Sequence, residues 1–405
     1  MKIGTRPETV GLCSKRLANI RPWMQKYVDE GKLPGAITMV ARHGKVVYCE
    51  SLGYRDLKAR KPLTTDNILR FYSMTKPVTS VAVMMLYEEG HFQLDDPVAK
   101  FIPGFQDMQV YVSGAGTEMI TESPRNPVTI HHLLTHTSGL TYGSENVGPI
   151  PELYQQGLTD FDTHDGKLAD VVERLVKIPL CFQPGERWNY GVSTDVLGRL
   201  VEVVSGQSLD EFMQDRILTP LKMDDTGFAV PAAKTDRFTA LYECTEDNHL
   251  NLRETPQNSP MIDAVETFSG GSGLVSTLAD YFRFTELLRR KGEFEGARLL
   301  GRKTVEYMTQ NHLPGDLADM GQPTFNETTF EGIGFGLGFS VMLDPAKAQV
   351  IGSPGEFAWG GYAGTSFWID PQEDMTVIFL TQLIPSSAYP IRRELRVLTY
   401  QALIH

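Results

Sequence analysis

Ser73-Met74-Thr75-Lys76-Pro77 opens a stretch in which Val78, Val81, Ala82, Met85 and Leu86 recur at steps of three and four until Gly90. That period belongs to a buried helix, and Gly90 is a natural stop because glycine tolerates the left-handed backbone of a helix end. Pro77 is compatible with the first turn, where backbone N–H groups have no intrahelical partner. The spacing therefore sets Ser73 at or near a helix N-terminus, with Lys76 one turn further along the same face. A serine hydroxyl is a weak nucleophile until a base takes its proton, and a lysine rooted inside the protein loses the hydration that favours its charged form. The helix N-terminus also favours negative charge developing near Ser73. Alone the pair is thin evidence: a chain of this composition yields Ser-x-x-Lys by chance roughly once, and a capping serine followed by a solvated lysine reads the same way.

Working outward, Ala36 to Ala41 and Lys45 to Ser51 are apolar, β-branched runs separated by Arg42-His43-Gly44, which predicts a hairpin upstream of the helix. Downstream, 91–264 has a different character. Helical stretches such as Asp195 to Val204 and Leu209 to Ile217 alternate with turn clusters, Ser144-Glu145-Asn146-Val147-Gly148-Pro149 among them. A helix from about Leu278 to Lys291 follows, then β-like runs at Gly336 to Leu343, Thr365 to Ile369 and Met375 to Thr381. Asp370-Pro371-Gln372-Glu373-Asp374 loops between the last two, and Tyr389 to Ile404 reads as an amphipathic helix. The expected architecture is α/β (α+β): one antiparallel sheet flanked by helices, built from 1–90 and 265–405, with 91–264 as a mainly helical domain.

Two further segments carry groups of the right chemistry. Tyr190, in Trp188-Asn189-Tyr190-Gly191-Val192-Ser193, lies at the mouth of the helix containing Asp195. A phenol beside an ammonium gives up its proton more readily, so Tyr190 is a candidate base or relay, with a packed aromatic as the structural alternative. Trp359-Gly360-Gly361-Tyr362 precedes the strand at Thr365; two glycines beside a strand permit close backbone approach, and an N–H there can join that of Ser73 in an oxyanion hole. The alternative is a plain glycine turn.

Other signals exclude more than they suggest. The 405 residues carry a formal charge of −12 with no basic stripe, which argues against nucleic acid as a partner. No run reaches the length of a membrane span, and Met1 to Ile20 has no apolar core of signal-peptide type. Cys13, Cys49, Cys181 and Cys244 lie far apart without metal-ligand or redox spacing, so free thiols in a reducing cytoplasm are expected. His132 and His136 stand four apart but lack the intervening glutamate of a zinc protease, and no metal or other cofactor is called for. Ser272 has Gly270 before it but Leu274 where a nucleophile elbow needs glycine, which removes the α/β-hydrolase reading.

Ser73-x-x-Lys76, the Tyr190 motif and Trp359-Gly360-Gly361, in this order, resemble the serine β-lactamase and penicillin-binding-protein superfamily over about residues 30 to 385. Leu133-Leu134-Thr135-His136-Thr137-Ser138-Gly139-Leu140, Pro184-Gly185-Glu186, Asp195-Val196-Leu197-Gly198 and Ser269-Gly270-Gly271 strengthen the likeness. The resemblance implies the β-lactamase/transpeptidase-like fold and Ser73, Lys76 and Tyr190 as catalytic residues. Within the superfamily, Trp359 stands where true β-lactamases carry the lysine of Lys-Thr-Gly, which looks like the family VIII carboxylesterases, the class C β-lactamase-like esterases. An indole cannot supply the cation that faces a substrate carboxylate, and Tyr190-Gly191-Val192 lacks the amide of Tyr-x-Asn. A small neutral ester is the expected substrate. Tyr190-Gly191 and Gln382-Leu383-Ile384-Pro385 also resemble fungal acyltransferases, so acyl transfer to an alcohol is the second reading. Weak β-lactam hydrolysis and an inactive binding member of the fold are the others.

Overall fold

The computed structural model describes residues 4–143, 147–157, 166–262, 265–325 and 328–405; Ser144, Glu145 and Asn146 of the first turn cluster lie outside them. The central element is an eight-stranded sheet in which every neighbouring pair is antiparallel. Its middle is the junction of the chain's two ends. Gly35–Arg42 pairs on one side with Lys45–Asp56 and on the other with Met375–Leu380, in register Ile37 with Leu380 through Arg42 with Met375. Ser366–Asp370, Phe357–Gly360, Ser340–Met342 and Ile333–Phe335 continue outward from Met375–Leu380.

Both faces of the middle strands are covered, which is why they read as unbroken apolar runs rather than alternating ones. Ile37, Met39, Ile378 and Leu380 face one core together with Val78, Val81 and Met85 of the helix Thr75–Glu88. Their neighbours Ala36, Val40, Val377 and Phe379 face a second core, closed by the helices Ile20–Asp29 and Ile391–Tyr400. On the first face the helix Thr75–Glu88 packs against Ser193–Ser205, and Leu168–Leu175 and Leu209–Met213 adjoin the latter. The segment 91–262 also holds a hairpin, Val110–Ser113 with Ile120–Glu122, and a strand pair, Leu241–Cys244 with Leu250–Glu254, the first of which takes Leu383–Ile384 as a parallel neighbour.

Two sequence expectations shift. The run from Gly336 to Leu343 is not one strand; Ile333–Phe335 ends just before it, 336–339 turns, and Ser340–Met342 returns beside the first. The terminal helix spans Ile391–Tyr400, shorter at both ends than Tyr389 to Ile404; at its start the non-helical Pro390 is the N-cap, and at its end Gln401 is the C-cap. No helix among the described residues is long and apolar enough to cross a membrane.

Candidate active site

Ser73 lies in a single 3-10 turn, Tyr72–Met74, that feeds directly into the helix Thr75–Glu88. That helix is buried from Thr75 to Leu86, so Lys76 is only 1% exposed although it carries an amine. Its Nζ stands 3.1 Å from Ser73 Oγ, 2.7 Å from the Tyr142 hydroxyl and 2.8 Å from the Gly271 carbonyl oxygen. The Gly271 carbonyl can only accept. With that contact fixed, a neutral amine has one N–H left for a hydroxyl and a lone pair for the Ser73 proton, whereas an ammonium donates to all three. The geometry serves both states of a proton shuttle.

The carbonyl is held in place by Asp195, which is 1% exposed in the first turn of Ser193–Ser205. Its Oδ1 accepts the Gly271 N–H at 2.9 Å and the Ser269 hydroxyl at 2.5 Å. The two loops that the sequence singled out as Asp195-Val196-Leu197-Gly198 and Ser269-Gly270-Gly271 thus meet as a brace for Lys76.

Tyr190 is brought to the same place. Lys76 Nζ lies 4.8 Å from the centre of its ring and 5.2 Å from that of Tyr142, and the two rings meet edge to face at 5.3 Å. Gly191 permits this approach: a Cβ there would stand 2.6 Å from the Thr141 Cα. Tyr142 escaped the sequence reading because it sits in a loop without periodicity, and only the fold carries its hydroxyl to a lysine 66 residues upstream. Below Tyr190 lies His136, buried, with ring centres 5.1 Å apart. Burial, reinforced by the nearby Lys76 charge, holds the His136 imidazole well below its ordinary pKa, so it is neutral. It is therefore no competing cation beside the lysine. Among the described residues no group of three or more His, Cys, Asp or Glu side chains is disposed to hold a metal ion.

The third segment closes the site from the sheet side. Trp359 packs against Tyr190 at 5.5 Å and Phe335 at 5.3 Å, extending an aromatic wall that continues through Trp188. Gly361 abuts the turn before the nucleophile: a Cβ there would lie 2.3 Å from the Phe71 carbonyl oxygen. Tyr362 follows, 52% exposed, with its ring edge-to-face on Tyr72 at 6.1 Å. Among the described residues neither the Ser73 nor the Tyr362 backbone N–H donates to a protein acceptor, so both remain available to a third oxygen. A cation does stand near this strand. Arg392 Nη2 lies 3.4 Å from the carbonyl oxygens of Gly361 and Thr365, and it approaches the Cα of Gly360 from the side where a Cβ would project. Successive residues of a strand point to opposite faces, so Arg392 is behind the strand as seen from Trp359. The face toward Ser73 carries the indole and no charge of its own.

The structure thus brings Ser73, Tyr142, Tyr190 and the Gly271 carbonyl around Lys76 Nζ, with Asp195 behind Gly271, Trp359 against Tyr190, Gly361 against Phe71 and Tyr362 against Tyr72, while Gly360 turns toward Arg392 on the far face. The Beta-lactamase family model matches residues 20–401. Esterase EstB of Burkholderia gladioli is 32% identical over 372 residues, covering 87% of this chain and 86% of EstB. Lovastatin esterase of Penicillium rubens is 29% identical, with 89% of this chain and 91% of that enzyme covered. Among solved structures, that of EstCE1, a hydrolase with promiscuous acyltransferase activity, is similar with a TM-score of 0.80 and 28% identity, over 96% of this chain and 99% of EstCE1. The sheet and helices described above are the β-lactamase/transpeptidase-like fold.

Proposed function

The chain belongs to the Beta-lactamase family and is a serine hydrolase; on that premise we propose that it is a carboxylesterase cleaving neutral, short-chain esters through an acyl-enzyme on Ser73. The observation that carries this reading is the contact of Lys76 Nζ with Ser73 Oγ at 3.1 Å, beneath a wall where Trp359 takes the place of a cation. Ser73 Oγ attacks the ester carbonyl while its proton passes to Lys76, and the oxyanion receives the N–H groups of Ser73 and Tyr362. As the intermediate collapses, the C–O bond to the alcohol breaks and the alcohol leaves with that proton, delivered from Lys76 directly or through Tyr142 or Tyr190. Water then adds to the acyl carbon, and the acid departs as Ser73 recovers its proton.

A second reading has one specific support. EstCE1 is described as a hydrolase with promiscuous acyltransferase activity, and an alcohol entering in place of water turns the same acyl-enzyme to transfer. Hydrolysis of p-nitrophenyl acetate and butyrate tests the first reading. Ser73→Ala is expected to lower kcat by at least about a thousandfold, and wild-type-like turnover by that variant would overturn it. Product analysis with added alcohol separates the two readings: free acid in excess supports hydrolysis, and acylated alcohol in excess at low alcohol concentration supports transfer.

A further inference from the structure

Ser73 follows a strained residue. Tyr72 has φ +44°, in the left-handed region that costs an aromatic residue of order 1–2 kcal/mol. Such a turn persists only where its surroundings over-determine it. Downstream, the Met74 carbonyl accepts the Tyr281 hydroxyl at 2.9 Å, and the Thr75 hydroxyl accepts the Leu274 N–H at 3.0 Å. Upstream, Leu69–Arg70 pairs along one edge with Val275–Ser276, and the Phe71 N–H donates to the Leu274 carbonyl at 3.0 Å; the other edge, at Arg70, is held by the side chain of Gln382.

Gln382 is 3% exposed and lies between the strands Met375–Leu380 and Leu383–Ile384. Its carboxamide pairs with the backbone of Arg70 at both atoms: Oε1 accepts the Arg70 N–H at 3.0 Å, and Nε2 donates to the Arg70 carbonyl at 3.0 Å. A side chain thus supplies the two bonds that a neighbouring strand would otherwise give. The amide is itself fixed. Nε2 also donates to the Thr381 carbonyl at 2.8 Å, Oε1 also accepts the Thr239 hydroxyl at 3.2 Å and Arg70 Nη1 at 3.4 Å, and the Gln382 carbonyl accepts the Tyr242 N–H at 3.0 Å. The Arg70 guanidinium is fully buried over the Phe238 ring and bonded to Glu254 at 3.1 Å, so this backbone has little freedom to drift if the amide is in place.

We propose that Gln382 is a positioning residue for the nucleophile: its carboxamide holds the Arg70 backbone so that the strained turn at Tyr72 presents Ser73 Oγ to Lys76 and the Ser73 N–H to the oxyanion. The proposal rests on Ser73 being the nucleophile. Gln382→Leu keeps the volume and leaves the Arg70 N–H and carbonyl without partners, whereas Gln382→Glu keeps the acceptor and loses both donated bonds. Because misplacement of a reacting atom by about 1 Å costs about a hundredfold, kcat on p-nitrophenyl butyrate and the rate constant of inactivation by a p-nitrophenyl phosphonate are expected to fall in parallel. The expected losses are about tenfold for Gln382→Glu and up to about a hundredfold for Gln382→Leu, with KM within threefold and the shape of the pH profile unchanged. If Gln382→Leu does not fold, Gln382→Glu decides alone. Unchanged rates alongside a lowered Tm would make Gln382 a structural residue only and overturn the proposal, and so would a raised KM with kcat unchanged. Failure of the underlying reading shows elsewhere: wild-type enzyme that resists the phosphonate, or Ser73→Ala that remains active.

Discussion

The strand pair Phe357–Gly360 and Ser366–Asp370 ends in opposite ways. At the end near Ser73, the turn 361–365 leaves the Tyr362 N–H without an acceptor among the described residues and its side chain half in solvent. At the other end, Glu356 and Asp370 are closed from water in a network with Tyr400, Arg396 and Ser353. One end keeps hydrogen-bonding capacity unspent and exposed, and the other exhausts it in a dry interior. Polar groups left open in the first place bind a developing charge, while polar groups closed in the second fix the terminal helix to the sheet. Changes at the first end should therefore alter rate with little effect on stability, and changes at the second should do the reverse.

The largest break in this contrast is expected at Lys76. Lys76→Met keeps an unbranched chain in the buried channel but removes the only amine that touches Ser73 Oγ among the described residues. Loss of a positioned base costs about a thousandfold in kcat, measured on p-nitrophenyl butyrate, with Tm within a few degrees of wild type because the thioether buries no charge of its own and Asp195 keeps its bonds to Gly271 and Ser269. A fall in Tm without that loss of rate would place Lys76 with the structural groups.

A smaller effect sharpens the open end. Tyr142 and Tyr190 both flank Lys76, but the hydroxyl at 2.7 Å from Nζ belongs to Tyr142. Tyr142→Phe is expected to lower kcat about a hundredfold while KM, which reflects binding of a neutral ester, stays within a few fold. If Tyr142→Phe stays within twofold and Tyr190→Phe abolishes turnover, Tyr190 moves the proton and Tyr142 only orients the lysine.

The same two ends mark how far the sequence could be read. Ser73 and Lys76 were legible because a buried helix repeats every three to four residues, and the strands around Asp370–Asp374 were legible because turn residues punctuate them. Trp359-Gly360-Gly361-Tyr362 was visible as glycines beside a strand, and its order after Tyr190 gave it meaning, but the strand Phe357–Gly360 that carries Trp359 and Gly360 was not read. Tyr142 was not visible, since its role depends on a loop crossing 66 residues of chain to reach Lys76. Gln382 carried only a likeness to other sequences, because a glutamine that pairs with the backbone of residue 70 leaves no local pattern. The closed network was equally hidden: Glu356, Asp370 and Tyr400 have ordinary neighbours, and only the packing of Ile391–Tyr400 on the sheet makes them one cluster.

The smallest expected effect tests that closed end through pH. The Tyr400 hydroxyl lies 2.6 Å from Glu356 Oε2 and 2.7 Å from Asp370 Oδ2, yet it has one proton to donate. The second contact needs a carboxyl proton. Asp370 already accepts the Ser353 hydroxyl at 2.6 Å and the N–H groups of Gln372 and Glu373. Burial raises the Glu356 pKa above its ordinary 4.5, and the neighbouring Asp370 charge adds to the rise, although Arg396 and Tyr400 pull the other way. An acid whose folded pKa exceeds the unfolded one binds its proton more tightly in the folded state. Its stabilisation is complete below about pH 4.5 and declines as pH rises through the folded value. Glu356→Gln keeps the shape and cannot titrate. Wild-type Tm is therefore expected to fall across the window above pH 4.5, and Glu356→Gln is expected to flatten that slope while esterase kcat stays at the wild-type level. An unchanged slope would mean that the cluster keeps its proton count over the whole range, and a changed kcat would mean that the two ends of the strand pair are not independent.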